Sequence, residues 1–343
     1  MQEPLAIAVV VVCHDSQAGI GATLEALVTQ LRADDELVVV DNASSDRTLA
    51  VAAAASPDVR IVEAGANIGF AAACHLGARK TQAPLLLFLN PDAVPAPGCV
   101  EALRACGLEQ PAWGAWQALV TLEDGRHINT SGNLVHWLGF GWAAGLGEPV
   151  EAAGSTPREV GFASGAAMVV RRRAWDTAAG FDERYFMYGE DLDLSLRLRL
   201  AGWSVGIVPT ARVTHDYEFA KGDYKWFLLE RNRWWTVLAD YPMPLLLLVL
   251  PALLAFEVAL LPAAWKGDWL TAKLRAQVAV LKTLPIALRR RRAVQRTRTI
   301  SSRAFACHLT DSLDSPHLAA ADRVALLAWA QRAYWRLVKA AVR

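Results

Sequence analysis

The sequence lacks the cysteine patterns of zinc sites and disulfide scaffolds. Its five cysteines form no Cys-x-x-Cys pair and have no histidine at ligand spacing. An odd, scattered set of this kind is typical of reduced thiols in a cytosolic compartment. The N-terminus has no basic segment followed by a small-residue cleavage site, and its apolar run, residues 5–12, is too short to cross a bilayer. We therefore expect residues 5–12 to form a buried strand of an intracellular chain.

The common glycine signatures of nucleotide and hydrolase sites are also missing. No G-x-G-x-x-G or G-x-x-x-x-G-K-[ST] follows an apolar strand-like run, and no Gly-x-Ser-x-Gly occurs. These absences weigh against a nicotinamide site, a P-loop and a serine-hydrolase elbow. Nucleic-acid-binding motifs are absent too, so we expect no nucleic-acid partner. The ligand is therefore expected to be held by carboxylates and a metal.

Charge is distributed unevenly along the chain. The net charge is only +1 over 343 residues, of which 54% are hydrophobic. Residues 241–343 carry 16 Lys and Arg against 5 Asp and Glu, whereas residues 1–240 carry 19 against 29. We therefore predict two domains, an acidic one over 1–240 and a basic, helical one over 241–343. A basic tail beside an apolar stretch indicates contact with an anionic membrane surface.

Apolar strands and helical segments alternate through the first 90 residues. The predicted strands are 5–12, 36–40, 59–62 and 84–89, and the predicted helices are 20–31, 47–55 and 69–80. This alternation predicts an α/β fold with a mainly parallel sheet and helices on both faces. Ligands of such sheets bind beyond the carboxyl ends of the strands. Asp15, Asp41 and Asp92 lie at or just after those ends and are therefore candidate ligand contacts.

Three carboxylates fall within four residues, at Glu190, Asp191 and Asp193. We expect them at the start of a short helix that ends at Gly202. Adjacent carboxylates raise at least one pKa, which suits a general base or a metal ligand. The alternative is a solvated acidic helix start. Asp193 is expected to be structural and to pair with Arg197 one helical turn later.

The middle of the chain, about residues 113–173, is rich in glycine and tryptophan. Its tryptophans are Trp113, Trp116, Trp137 and Trp142. They either face a sugar from a mobile loop or pack in the core, and the sequence leaves both alternatives open. Gly165 and Ala166 follow at the entry of a predicted strand, where small side chains leave room for a ligand near the backbone. We assign these two residues to the acceptor site.

The end of the chain is apolar and then basic. Residues 242–265 could cross a bilayer, but Glu257 and the prolines at 244, 251 and 262 make a kinked or re-entrant interfacial helix equally plausible, and a buried soluble helix is a further alternative. An amphipathic segment, 269–288, precedes Arg289-Arg290-Arg291-Arg292, Arg296 and Arg298. These arginines are expected to contact acidic lipid headgroups or the diphosphate of a lipid-linked acceptor. A last amphipathic stretch, 318–343, suits a membrane interface or a dimer contact.

The order of short motifs over about residues 5–240 resembles the family-2 glycosyltransferases. The rhamnosyltransferase-like group, which builds cell-wall and surface polysaccharide, is the most similar. The matching segments are, in order, Val12-Cys13-His14-Asp15, Val40-Asp41-Asn42-Ala43-Ser44-Ser45-Asp46, Asn67-Ile68-Gly69-Phe70, Leu89-Asn90-Pro91-Asp92, Gly165-Ala166, Gly180-Phe181-Asp182-Glu183, Tyr188-Gly189-Glu190-Asp191-Leu192-Asp193, Ala201-Gly202-Trp203, Pro209, His215 and Arg231-Asn232.

The resemblance implies a GT-A-like nucleotide-binding fold and specific residue roles. Asp191 resembles the catalytic base, with Glu190 beside it. Asp92 resembles the carboxylate that binds Mg²⁺ or Mn²⁺, and His215 a histidine near the metal and the diphosphate. The remaining donor-site residues that the resemblance implies are Asp41 at the base, Asp15, Asn67, Gly69 and Asn90. The family pattern also continues after Gly69 with a glycine and an asparagine, where this chain has Ala73 and His75.

The resemblance also implies a reaction. We expect inverting transfer of L-rhamnose from dTDP-rhamnose to a polyprenyl-diphosphate-linked saccharide, at the cytoplasmic face of the cell membrane. Two alternatives stay open: an inactive sugar-nucleotide-binding scaffold of a polysaccharide-assembly complex, and a soluble transferase for a small acceptor. The sequence also leaves open whether the chain forms a homo-oligomer.

Overall fold

The computed structural model describes residues 5–56, 58–215, 222–312 and 325–342. The chain forms two compact units. The first contains residues 1–133, 143–198 and 203–218, and the second contains residues 134–142, 199–202 and 219–343. The division of roles between 1–240 and 241–343 stays a prediction.

The helices of both units are numbered in chain order. They are α1 Ile20–Val28, α2 Thr48–Ala55, α3 Phe70–Ala78, α4 Cys99–Glu109, α5 Arg172–Ala178, α6 Glu190–Leu200, α7 Asp223–Asp240, α8 Met243–Lys266, α9 Leu270–Arg296, α10 Ser302–Ala306 and α11 Ala325–Ala341. The strands are β1 Ile7–Cys13, β2 Glu36–Asp41, β3 Arg60–Glu63, β4 Leu85–Leu89, β5 Val94–Pro95, β6 Trp113–Thr121, β7 Ile128–Thr130, β8 Asn133–Val135, β9 Gly141–Ala143, β10 Arg158–Glu159, β11 Ala167–Arg171 and β12 Ser204–Thr214.

The main sheet of the first unit has the order β10-β12-β6-β11-β4-β1-β2-β3, with β5 and β7 added beside β12 and β6. Strands β4, β1, β2 and β3 are parallel, which confirms the predicted fold class. Strand β11 is antiparallel to β4 and to β6 and joins this half to the parallel pair β6–β12. All carboxyl ends of the parallel half therefore lie at one edge of the sheet.

Strand β1 has apolar side chains on both faces because both faces of the sheet are covered. Val9 and Val11 pack with Ile20 and Leu24 of α1 in one core cluster. Val10 and Val12 belong to a second cluster, which holds residues of α3, α5 and α6. The continuous run of apolar residues thus follows from a sheet between two helical layers.

The tryptophans of the middle region pack in the interior. Trp113 and Trp116 lie in β6, a central strand, and Trp137 and Trp142 are also buried, with at most 8% of any of the four side chains exposed. The expectation of a mobile loop that presents these rings to a sugar is therefore wrong, and the packing alternative is correct. Central strands are covered on both faces, so rings on β6 have no route to solvent.

In the second unit, α7 and α9 pack along each other. Trp235 Nε1 donates to Thr283 Oγ1 at 3.0 Å near the middle, and Arg291 Nη1 donates to the Tyr241 carbonyl at 2.7 Å near the end. Arg290 and Arg291 are buried, and Arg290 lies 3.4 Å from Asp240. Half of the predicted lipid-binding Arg289–292 run is therefore structural.

Helix α11 packs against residues 134–142. Trp137 and Trp335 stack with ring centroids 5.6 Å apart, and Gln331 Oε1 accepts a hydrogen bond from Trp137 Nε1 at 3.0 Å. The predicted amphipathic segment 318–343 lies partly outside the described residues. Among the described helices, only α8 is long and apolar enough to cross a membrane, and 28% of its most apolar window is buried.

Candidate active site

The loops after β1 and β2 meet through Asp15. Its Oδ1 accepts hydrogen bonds from the Ser45 backbone N–H at 2.7 Å and from Ser45 Oγ at 3.1 Å. These bonds lower the pKa of Asp15, which stays ionised. Asp41, the last residue of β2, is 3% exposed and accepts from the Ser44 N–H at 3.2 Å. The two sequence-predicted carboxylates therefore lie on adjacent loops at one end of the sheet.

Asn42 links these loops to the segment before α3. Its amide donates to Asn67 Oδ1 at 3.0 Å, and its Oδ1 accepts from the Ile68 N–H at 2.9 Å. Asn67 Oδ1 also accepts from the Gly69 N–H at 3.1 Å. Sequence reasoning assigned no role to Asn42, although its place directly after Asp41 at the strand end was the available signal. This amide pair fixes the position of Asn67 and Gly69 beside the first two loops.

Gly69 brings the start of α3 against the loop that leads to α6. Its φ is +85°, and a Cβ there would lie 2.5 Å from the Phe186 ring. The Ala71 N–H donates to the Phe186 carbonyl at 3.3 Å. Any side chain at position 69 would therefore be strained and would push this loop away. The Asn67–Gly69 motif thus positions the acidic motif as well as its own loop.

Asp191 lies in the first turn of α6 and is held by backbone amides. The Gly165 N–H donates to its Oδ2 at 3.0 Å, and its own neighbour, the Leu192 N–H, donates to Oδ1 at 2.7 Å. Burial raises the pKa of this carboxyl group more than these two bonds lower it. The side chain remains partly exposed. A partly exposed carboxylate with a raised pKa has the properties of a general base.

Glu190 and Asp193 have opposite environments although both are buried. Glu190 is 6% exposed, and its Oε2 has no hydrogen-bond partner among the described residues. Burial and the charge of Asp191 raise its pKa well above the ordinary value. Asp193 binds Arg197 at 2.6 Å and accepts from the Tyr185 hydroxyl at 3.0 Å. The structural role predicted for Asp193 is therefore confirmed.

The Gly165-Ala166 turn connects Asp191 to the end of β4. The Asn90 N–H donates to the Ala166 carbonyl at 3.0 Å, one residue beyond the amide that binds Asp191. Asn90 Nδ2 lies 3.3 Å from His215 Nε2, and Asp92 Oδ1 lies 3.2 Å from the same nitrogen. An unbroken series of contacts thus joins Asp191 to Asp92.

Asp92 and His215 form the most suitable metal position among the predicted residues. The Asp92 side chain is 54% exposed, so its oxygens are accessible, whereas His215 is buried at the end of β12 with its Nε2 directed at them. No group of three or more His, Cys, Asp or Glu side chains that could hold a metal occurs among the described residues. The pair fits a divalent ion that takes its other ligands from substrate phosphates, which is the usual arrangement for Mg²⁺. Carboxylate oxygens such as those of Asp92 suit Mn²⁺ as well.

His75, where the chain departs from the family pattern, supports the turn before α6. Its Nε2 lies 2.7 Å from the Phe181 carbonyl oxygen, and its ring packs on Trp175 with centroids 4.8 Å apart. Burial lowers the pKa of His75, which therefore stays neutral. Ala73 is fully buried in the sheet-facing core. Both residues of the departure thus pack against the protein interior.

Comparison with known proteins identifies the family. The profile described as "Glycosyl transferase family 2" matches residues 8–175. The chain is 33% identical over 208 residues to the N-acetylglucosaminyl-diphospho-decaprenol L-rhamnosyltransferase of Mycobacterium tuberculosis, a match that covers 54% of this chain and 68% of the relative. The chain belongs to glycosyl transferase family 2. A shorter match to rhamnosyltransferase WbbL of Escherichia coli is 40% identical over 75 residues and covers 22% of this chain and 27% of that protein.

Solved structures support the GT-A-like fold of this glycosyltransferase. GalNAc-T7 with UDP, GalNAc and Mn²⁺ has a TM-score of 0.59 at 17% identity; the match covers 71% of this chain and 49% of that one. Staphylococcus aureus TarS has a TM-score of 0.55 at 16% identity and covers 98% of this chain and 55% of its own. The chain therefore spans about half the length of each of these two structures. At such identities the likeness concerns the fold alone.

Proposed function

We propose that this glycosyltransferase moves L-rhamnose, with inversion, from dTDP-rhamnose to a saccharide carried on a polyprenyl diphosphate. The name of the mycobacterial relative supports L-rhamnose as the transferred sugar and a polyprenyl-diphosphate-linked saccharide as the acceptor, since the chain covers 68% of that protein at 33% identity. The dTDP carrier of the donor comes from the family resemblance. One structural observation carries the chemistry. The Gly165 N–H donates to the accessible carboxylate of Asp191, and the carbonyl of the next residue, Ala166, accepts from the Asn90 N–H. The side chain of Asn90 in turn contacts His215, which lies beside Asp92.

The transfer needs one general base. Asp191 takes the proton of the acceptor hydroxyl, and the hydroxyl oxygen forms a bond to the anomeric carbon of rhamnose. The bond from that carbon to the diphosphate oxygen breaks, and its electron pair leaves with dTDP. Because attack and departure occur on opposite sides of the carbon, the configuration inverts. The raised pKa of Asp191 makes its carboxylate a stronger base than an ordinary aspartate.

The other predicted residues bind the two substrates. The loops that carry Asp15, Asp41, Asn67 and Gly69 hold the nucleotide at the end of the parallel strands, where such sheets bind ligands. Asp92 and His215 would hold Mg²⁺ or Mn²⁺, with Asn90 beside them. A bound ion would supply positive charge to offset the charge of the departing diphosphate. Gly165 and Ala166 leave space for the acceptor next to Asp191.

We place the reaction at the cytoplasmic face of the membrane, where a polyprenyl-linked acceptor meets a soluble nucleotide sugar. The apolar helix α8 and the basic segment after it support contact with anionic lipid.

The test is Asp191→Asn. We expect rhamnosyl transfer to a lipid-linked acceptor to fall by about 10²–10⁴-fold, because the amide accepts no proton at neutral pH. Binding of dTDP-rhamnose, measured by calorimetry, should stay within twofold of wild type. The matched control is Asp34→Asn on an exposed loop, which should leave both quantities unchanged. Normal turnover by Asp191→Asn would remove the assignment of the base.

A second measurement separates the proposal from its two rivals. Wild-type protein with Mn²⁺, dTDP-rhamnose and a polyprenyl-diphosphate saccharide should release dTDP in step with glycosylated lipid. Donor binding without any dTDP release would instead favour an inactive scaffold. Full turnover on a short soluble acceptor, without detergent or lipid, would favour a soluble transferase.

A further inference from the structure

We propose that α8 and α9 together form a docking surface that lies flat on an anionic bilayer, with α8 along the interface and not across the membrane. This proposal goes beyond the proposed reaction and does not depend on which donor or acceptor is used. It concerns the second unit alone. The docking surface consists of the exposed apolar side chains of α8 and α9 and a row of basic side chains on α9.

The exposed side of α8 is apolar along its whole length. Its large exposed side chains are Met243, Leu247, Leu254, Val258 and Trp265. They follow one another at intervals of four and seven residues, so they lie on one side of the helix. The opposite side is buried, through residues such as Leu245, Val249 and Leu253. The only charged residue of α8 before its last position is Glu257.

The exposed side of α9 is apolar and basic in parallel rows. Leu274, Leu281 and Leu288 lie seven residues apart and are exposed, Leu281 to 70%. The basic row lies one position later and is also exposed: Arg275, Lys282, Arg289 and Arg296. The whole of Leu270–Arg296 contains no Asp or Glu. Apolar and basic rows side by side, without acids, complement a bilayer with anionic headgroups.

The fold argues against a single crossing by α8. At about 1.5 Å per residue, a helix of its length reaches about 36 Å, which would suffice to cross a bilayer. A crossing would place α7 and α9 on opposite sides of the membrane. Near the two ends of α9, however, Lys273 Nζ lies 2.7 Å from Glu230 Oε2 in α7, and Arg291 Nη1 donates at 2.7 Å to the carbonyl of Tyr241, the residue that follows α7. They therefore lie on the same side.

Insertion of the three helices together is excluded by charge. Glu257 of α8 binds Lys273 at 2.5 Å and also pairs with Arg233, and Lys273 binds Glu230. This charged cluster and the basic row of α9 would all enter the hydrocarbon, where each ionised side chain costs several kcal/mol. A position along the interface leaves the basic row among the headgroups and the cluster inside the protein. The apolar side chains alone then enter the acyl layer.

The first test measures charge dependence with full-length protein and vesicles. Wild-type protein should sediment with phosphatidylcholine–phosphatidylglycerol vesicles far more tightly than with pure phosphatidylcholine. Changing the basic row to glutamine, R275Q/K282Q/R289Q/R296Q, should weaken binding to the anionic vesicles about fivefold per removed charge. The matched control removes four exposed charges of the first unit, R60Q/K80Q/R126Q/R184Q. Equal losses in the two variants, or no loss in the first, would overturn the proposal.

The exposed apolar side chains of α8 should contribute to vesicle binding in a way that does not depend on lipid charge. The variant L247Q/L254Q/V258Q changes exposed residues of α8 and should weaken binding to neutral and anionic vesicles by similar factors. Thermal unfolding of each variant in solution should match that of wild type, since all substituted side chains are exposed. Undiminished vesicle binding by this variant would contradict the docking role of α8.

The second test asks whether α8 crosses the membrane. Cysteines are placed before α8, as Asp223→Cys, and after α9, as Arg303→Cys, both at exposed positions, with the exposed Cys307 changed to serine. A membrane-impermeant maleimide should label both positions in inside-out vesicles and neither in intact spheroplasts. Labelling of one position from each side would show a crossing and overturn the proposal.

Discussion

Two clusters of acidic side chains among the described residues have opposite electrostatics. In the second unit, Glu230 and Glu257 each bind Lys273, and both also pair with Arg233. In the first unit, Glu190 and Asp191 share the start of α6, and Glu190 Oε2 has no partner among the described residues. The cluster of the second unit is neutralised, whereas Glu190 and Asp191 form no ion pair with any residue that the structure describes.

The pKa directions express this difference. Burial alone would raise the pKa of Glu230, but Arg233 and Lys273 outweigh it and hold the pKa below the ordinary value. Burial raises the pKa of both Glu190 and Asp191, and their bonds to backbone amides do not compensate. A neutralised buried acid becomes strongly destabilising only when its partner is removed, whereas one left uncompensated is costly in the native fold and is typical of a functional site. Within α6 itself, Asp193 follows the first pattern through Arg197.

Removal of one cation from the neutralised cluster should strongly lower the free energy of unfolding. Lys273→Met leaves two buried carboxylates with Arg233 alone, so we expect the free energy of unfolding to fall by about 3–5 kcal/mol. Lys282→Met, an exposed position of the same helix, should change it by less than about 0.5 kcal/mol. Chemical denaturation with both variants provides the measurement. Equal effects would mean that the cluster does not hold α7, α8 and α9 together.

Two substitutions test whether Asp92 and His215 bind the metal ion. His215→Ala removes the nitrogen that lies 3.2 Å from Asp92, and Asp92→Asn removes the carboxylate charge. Each should raise the Mn²⁺ concentration for half-maximal transfer by at least about 10-fold, because loss of even an outer-shell partner costs about 10–100-fold in metal affinity. The measurement is a metal titration of initial rates. An unchanged titration curve in Asp92→Asn would place the ion elsewhere.

The raised pKa of Asp191 predicts that the rate of transfer depends on pH. Because only ionised Asp191 accepts a proton, kcat/KM should rise about tenfold per pH unit below its raised pKa and level off above it. Rates measured from acidic to neutral pH test this profile. A flat profile would indicate that Asp191 titrates as an ordinary, exposed aspartate.

The smallest effect concerns stability at Glu190. Its raised pKa means that the folded state binds the proton more tightly than the unfolded state, so stability falls as pH rises from the ordinary glutamate range to the raised value. Glu190→Gln should remove the contribution of Glu190 to this slope and raise the melting temperature by a few degrees at neutral pH. Thermal unfolding over a range of pH gives the answer. A lower melting temperature for Glu190→Gln at neutral pH would show that its carboxylate is compensated after all.

The parallel half of the sheet was predictable because its strands are continuous runs of mostly apolar residues. Strands β1, β2, β3 and β4 begin and end within two residues of their predicted bounds. Strand β6 was missed because its residues, Trp113 to Thr121, mix tryptophan, glycine and glutamine, and its neighbours on either side in the sheet, β11 and β12, are far away in the sequence. Long-range pairing of this kind leaves no local period.

The candidate site was predictable as a set of side chains but not as a geometry. The contact of Asp191 with Gly165, 26 residues away, and of Asn90 with His215, 125 residues away, depends on the sheet order. The burial of Arg290 and Arg291 was likewise hidden, because a run of arginines shows no sign of which members face the protein.

The central claim is that Asp191 and the Asp92–His215 pair act on one donor. The most direct measurement is a crystal structure of Asp191→Asn with dTDP-rhamnose and Mn²⁺, in which anomalous scattering locates the ion. We predict Mn²⁺ bound to Asp92 and the diphosphate, with the anomeric carbon facing position 191 across a space for one hydroxyl group. An ion bound at Glu190 and away from Asp92, or an anomeric carbon turned away from position 191, would contradict the account.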